Sequence, residues 1–212
     1  MTVQRFTAMH DDSVTVARRL LGQRLVRVVD GERRSGIIVE VEAYLGAEDR
    51  AAHTFGGRRT PRNASMYRAG GHAYVYFVYG MHHCMNVVCG AEGEGIAVLI
   101  RALEPDEGLD AMREARPKSR RDVDLCAGPA RLTAALAIDR AQDGTNLLTS
   151  EHVFIERVRQ RALPARRIVA CPRVGVDYAG VWARRPLRFL IDGHPCVSRA
   201  PTGTSFARLQ QK

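Results

Sequence analysis

The stretch from Leu25 to Tyr44 constrains the fold most. Leu25-Val26-Arg27-Val28-Val29 and Ile37-Ile38-Val39-Glu40-Val41-Glu42-Ala43-Tyr44 are rich in β-branched residues and flank a polar turn over 30–36. Apolar runs of this length around a polar, glycine-containing break read as a β-hairpin. Alternation on the second strand puts Ile38, Glu40, Glu42 and Tyr44 on one face and Ile37, Val39, Val41 and Ala43 on the other. A carboxylate on the open face of an edge strand is ordinarily solvated.

The remaining pattern repeats this theme. A helix is expected over 14–21, started by Asp11-Asp12-Ser13 and ended by Gly22. A second hairpin pairs 74–78 with 83–89 across Tyr79-Gly80-Met81. A strand over 97–101 precedes a helix starting at Glu104-Pro105 and running to Arg116, and Gly128-Pro129 starts another running to Ile138. Further strands are expected over 153–156, 168–176 and 187–191. Residues 45–72, broken by glycines and prolines and carrying Arg58, Arg59, Arg62 and Arg68, form a long loop of the functional kind. The charged stretch 117–122 reads as a linker, but composition does not change across it. Hairpins mixed with separate helices, without βαβ alternation, predict an α+β fold on an antiparallel sheet. One domain over 1–212 is expected.

Composition narrows the partners. With 45% apolar and 26% charged residues the chain suits a soluble globular protein. Apolar runs such as Ile96-Ala97-Val98-Leu99-Ile100 fall far short of the ~20 residues needed to cross a bilayer, and the N-terminus lacks a signal-peptide core, so an intracellular protein without membrane contact is expected. The net charge is +9, and every basic residue except Lys118 and Lys212 is arginine. Arginine's planar fork suits phosphates and base edges, which makes nucleic acid the first polyanion to consider. The five cysteines are odd in number and lack a CxxC pair, so reduced thiols are expected. His82-His83-Cys84 alternate across a strand and cannot share one ion. No metal or cofactor is expected.

Tyr44, His53, Tyr74, Tyr76 and Tyr79 gather five rings beside the acids of the first hairpin. Flat faces of this kind stack nucleobases, although Tyr74 alone reads as core. The segments Glu40-Val41-Glu42-Ala43-Tyr44-Leu45-Gly46, Asp49-Arg50-Ala51-Ala52-His53, Arg59-Thr60-Pro61-Arg62-Asn63, Tyr74-Val75-Tyr76, Tyr79-Gly80-Met81, Cys84-Met85-Asn86 and Arg101-Ala102-Leu103-Glu104-Pro105 follow in order. After them come Cys126-Ala127-Gly128-Pro129, Arg173-Val174-Gly175-Val176 and Trp182-Ala183-Arg184-Arg185-Pro186-Leu187-Arg188-Phe189. The ordered series resembles the alkyladenine (3-methyladenine) DNA glycosylase family over most of the chain.

That resemblance implies a curved antiparallel sheet with surrounding helices and a protruding hairpin. It also implies flipping of alkylated or deaminated purines of the 3-methyladenine, hypoxanthine and ethenoadenine type out of double-stranded DNA, with hydrolysis of the N-glycosidic bond. By the match, Glu42 is the general base for water and Arg101 holds that water and Glu42. Tyr44, His53 and Tyr76 sandwich the base, and Asn86 crowds the amino group of guanine. Tyr79, with Met81 beside it, supplies the wedge that fills the vacated space. Glu40 does not match the catalytic position and is expected to be structural or solvated. Neither Lys118 nor Lys212 falls in a motif, so a water-using enzyme without lyase activity is expected, with the N-terminal amine as the alternative nucleophile. The resemblance further implies a monomer of the compact bacterial form, cytoplasmic and associated with the nucleoid. The inserted Glu92-Gly93-Glu94-Gly95 loop, His82 after the tip and Arg68 depart from the family pattern. The other readings are a non-catalytic module for distorted DNA and a nucleoside hydrolase; +9 and Tyr79 have no purpose in the latter.

Overall fold

The computed structural model describes residues 3–78 and 80–200, with the backbone of 207–208. Asp12 starts α1 (Ser13–Leu20) by accepting the Val14 and Thr15 amides at 3.0 and 2.9 Å, which satisfies donors that the first turn leaves open. Val16, Ala17 and Leu20 recur at helical spacing and are buried. β1 (Arg24–Val29) then pairs with β2 (Glu32–Tyr44) through a two-residue turn, Asp30 and Gly31, with φ of 50° and 83°. Both values are left-handed, the geometry that matches strand twist in tight hairpins. Residues 32–36, expected as turn, are therefore strand. Their polarity serves ion pairs, with Arg33 bridging Glu107 and Glu156 at 3.0 and 3.1 Å.

Three short 3-10 turns break the 45–72 loop, as its glycines and prolines suggest. The chain continues through β3 (Ala73–Val78), β4 (His82–Cys89), β5 (Ile96–Glu107), α2 (Leu109–Ala115), α3 (Pro129–Ala135), β6 (Val153–Glu156), β7 (Ile168–Cys171), β8 (Arg188–Ile191) and β9 (Ala207–Arg208). All the described strands belong to one antiparallel sheet in the order β3-β4-β5-β2-β8-β7-β9, with β1 and β6 branching from β2. The sheet curls into a half-barrel. β2 is no edge: β5 follows almost its whole length, β1 lines the first part of its other side and β8 the last part.

Three further boundaries differ from the sequence reading. The helix expected from Glu104-Pro105 starts only at Leu109, because β5 continues to Glu107 against the outer end of β2. Pro105 sits opposite Gly36, where a Cβ would meet the Glu104 carbonyl at 2.7 Å, so the missing N–H and the missing side chain fall together. β7 stops at Cys171 because Pro172 and Arg173 turn away toward Asp49. α3 ends at Ala135 rather than Ile138. Within the 117–122 stretch, Asp122 is tied to Arg113 of α2 at 2.8 Å.

One apolar cluster draws on residues from Phe6 to Cys196 and joins α1, α2 and α3 to the sheet. A smaller one, including Ala51, Val176, Ala179 and Trp182, packs the loop after β2 against the turn after β7. All five cysteines are buried and free. No described helix is long and apolar enough to cross a membrane.

Candidate active site

Two irregularities in the β2–β5 ladder create the site. Ile38 pairs with Leu103, Glu40 with Ala102 and Val41 with Ile100, so Val39 on β2 and Arg101 on β5 have no ladder partner. Such bulges bend a strand and re-aim side chains. The first sends both Ile38 and Val39 into the core, which removes Ile38 from the face it was expected to share with the acids. The second turns Arg101 toward Glu40 and Glu42.

Both carboxylates are completely buried, contrary to a solvated role on an edge. Glu42 Oε1 accepts the Val174 amide at 2.8 Å and lies 3.3 Å from an Arg101 terminal nitrogen, while Tyr44 Oη donates to Oε2 at 2.9 Å. Glu40 Oε1 accepts from Arg101 Nε and from Arg188, each at 2.9 Å. Burial pulls the Arg101 guanidinium down, but the facing Glu42 and Glu40 charges outweigh it and leave its pKa raised. Burial, with the adjacent Glu42 charge, likewise drives the Tyr44 phenol well above its ordinary range, so it serves as a donor.

Glu42, Tyr44 and Arg101, with His53, Tyr76 and Asn86, line a cavity of about 440 Å³. Cavities of this size hold small ligands with a few convergent polar groups. The rings make its walls. His53 stands edge-on to Tyr76 with centroids 4.6 Å apart, and Tyr76 stacks on Tyr74 at 5.2 Å. His53 Nδ1 lies 2.7 Å from Tyr74 Oη. Loss of water around the imidazole lowers its pKa, and the Arg62 and Arg58 charges lower it further, which favours the neutral ring. Asn86 donates to the Tyr74 carbonyl at 3.0 Å.

Six of the eight predicted site residues thus meet in one cavity. Met81 is 70% exposed beyond it, at the end of the β3–β4 hairpin, where its amide closes the turn onto the Val78 carbonyl at 3.2 Å. Tyr79 lies outside the described residues.

The sequence reading missed the supports. Asp49 and Arg173 form a completely buried pair with contacts of 2.5 and 2.8 Å, and Arg173 also donates to the Ala43 carbonyl at 2.9 Å. Its guanidinium sits 4.7 Å from the Tyr44 ring centroid. The pair fixes Val174, whose amide reaches Glu42. Tyr74, read as core, is 1% exposed yet holds the His53 ring. The one available signal was Arg173, a lone charge between Cys171-Pro172 and Val174-Gly175-Val176.

The sequence model of the family described as methylpurine-DNA glycosylase matches residues 7–195. The chain is 48% identical over 196 residues to the DNA-3-methyladenine glycosylase of Homo sapiens, covering 88% of this chain and 64% of that protein. It is 46% identical over 195 residues to the DNA-3-methyladenine glycosylase of Mus musculus, covering 88% and 58%. A putative 3-methyladenine DNA glycosylase of Bacillus cereus is 45% identical over 195 residues, covering 89% and 95%. The chain therefore spans less than two thirds of the mammalian relatives' length and nearly all of the Bacillus one.

Proposed function

Because the chain belongs to the methylpurine-DNA glycosylase family, we propose that it removes alkylated or deaminated purines from double-stranded DNA by hydrolysing the N-glycosidic bond. The observation that carries this reading is Glu42, a completely buried carboxylate gripped by three donors and lining a ring-walled cavity.

The target bond lies inside the duplex, so the nucleotide must first rotate out, at a cost of a few kcal/mol for unstacking. Tyr79 and Met81 at the hairpin end fill the vacated position. The purine enters between Tyr76 and His53 on one side and Tyr44 on the other, and stacking on such rings returns about 1–3 kcal/mol. Asn86, pinned by its bond to Tyr74, occupies the space that a guanine amino group would need.

Glu42 takes a proton from a water placed between it, Arg101 and C1′. The water oxygen forms the new bond to C1′, and the electron pair of the breaking C1′–N9 bond leaves with the purine. Alkylation of a ring nitrogen gives the purine a positive charge that those electrons neutralise. Amine attack would need a lysine or the N-terminal amine; Lys118 is exposed and absent from the cavity walls, and Lys212 and the N-terminal amine lie outside the described residues. With Glu42 on the cavity wall to take its proton, water is the nucleophile in this reading, and no lyase step follows. The main apolar cluster, which joins Phe6 to Cys196, supports one glycosylase domain over the chain.

Glu42→Gln tests the reading against a module that only binds distorted DNA. The amide nitrogen can replace Oε2, where the Tyr44 hydroxyl can turn and accept, so the shape survives while proton transfer does not. Excision from duplexes carrying one damaged purine is expected to vanish, with affinity for abasic-site DNA kept within a few-fold. A wild-type protein that binds such duplexes without releasing a base, or a fully active variant, would overturn the reading.

A further inference from the structure

Glu40 is a buried charge that the reaction above does not use. All three contacts to its carboxylate come from donors: Arg101 Nε and an Arg188 terminal nitrogen on Oε1 at 2.9 Å each, and the Ser198 amide on Oε2 at 2.7 Å. Arg188 is held in turn by the Pro172 and Arg199 carbonyls at 3.0 and 2.9 Å, and Arg101 reaches Ser198 Oγ at 3.3 Å. Glu40 thereby joins β2, β5, β8, the segment after β7 and the segment around Ser198.

The geometry makes one guanidinium serve two carboxylates. Arg101 offers Nε to Glu40 and a terminal nitrogen to Glu42, and both arginines are at most 6% exposed. Two buried cations face two buried anions, and neither carboxylate alone balances them. We infer that Glu40 is a positioning residue for base excision: it anchors Arg101 by Nε and takes a share of its charge, so that Arg101 aims at Glu42 without neutralising it. This rests on the glycosylase reading.

The groups facing the two carboxylates do not confuse the test. Tyr44 of β2, Tyr76 of β3 and Cys84 of β4 face Glu42, and Cys171 of β7 faces Glu40 as well as Glu42. Burial raises each of them, and each stays neutral in the acid range. Arg173, the remaining neighbour, stays cationic. Glu40 itself is pushed up by burial but held below its ordinary value by Arg101, Arg188 and Ser198.

The experiment measures single-turnover excision from a damaged-purine duplex across pH for wild type, Glu40→Gln and Arg188→Met. In parallel, the Glu42 side-chain carboxyl resonance is titrated in ¹³C-labelled protein without DNA. In Glu40→Gln, Glu42 becomes the only anion facing Arg101, so its titration and the acid limb should move down by about one pH unit. The plateau rate should fall about tenfold. Arg188→Met removes a cation and should move both up. A merely structural role would lower the plateau with the folded fraction and leave both inflections unmoved, which would overturn the inference. So would shifts of the same sign in the two variants, and should one variant fail to fold, the other still decides by its sign. A wild-type protein that excises nothing would count against the glycosylase reading, while the carboxyl titration would still decide the role of Glu40.

Discussion

Tyr44 touches the candidate base directly, through a hydroxyl 2.9 Å from Glu42 Oε2, and its ring lies beneath the Arg173 guanidinium. Tyr44→Phe keeps the ring and removes one hydrogen bond to a charged acceptor, an interaction worth about 1.5–3 kcal/mol. Single-turnover excision should fall by about one to two orders of magnitude. The lost donor favoured the charged carboxylate, so the acid limb should move to higher pH, opposite to the shift expected for Glu40→Gln. Abasic-site binding should change little. At this scale the candidates were legible: Glu42, Tyr44, His53, Tyr76, Asn86 and Arg101 sit in ordered motifs, and the fold brings all six to one cavity. Glu40 was not, because an acid two residues from another on a strand looks the same whether water or two arginines surround it.

The β3–β4 hairpin and the loop after β2 are the elements that make the cavity usable. Gly80, with φ of 70°, takes a backbone conformation that a side chain would strain, next to the proposed wedge. Tyr79→Ser should lower excision from a well-paired duplex more than from one with a mismatched, already unstacked lesion, because the ring's proposed task is to hold the vacated space. Equal losses on both substrates, measured under single turnover, would show that the tip is not the wedge. In the loop, Asp49 accepts the Leu45 and Ala51 amides at 3.1 and 3.0 Å besides both Arg173 nitrogens. Asp49→Asn leaves a buried guanidinium without its counter-charge, at a cost of about 3–5 kcal/mol. Calorimetry should record a melting temperature lower by on the order of ten degrees. Excision should drop too, since the Val174 amide loses its anchor. The hairpins were legible from alternation and turn residues, whereas Pro105 misled because a proline after a strand also marks a helix start.

For the whole molecule, the buried charges set how stability answers to acid. Folding lowers the Glu40 pKa beneath its ordinary 4.5 because Arg101 and its other partners outweigh burial. A carboxyl lowered by folding contributes its full stabilisation above its unfolded value and loses it as pH falls through the folded one. Asp12 and Glu107 shift the same way, but water reaches them and their share is smaller. Folding also lowers the His53 pKa beneath its ordinary 6.5, so the melting temperature should begin to decline as pH drops through 6.5 and decline further below 4.5. Glu40→Gln should start lower at neutral pH and decline less steeply, as melts across a pH series would show.

The sequence alone determined what depends on neighbours along the chain: the Asp12 cap, the two hairpins and the motif order that carries the family. Tertiary structure decided what depends on distant partners. Arg101 reaches Glu40 across 61 residues, Val174 reaches Glu42 across 132 and Ser198 reaches Glu40 across 158. Whether a carboxylate is solvated, paired or poised as a base follows from the charges and donors that folding brings around it. In this protein two bulges and the return of the chain after β7 and β8 supply them, and no local periodicity encodes either.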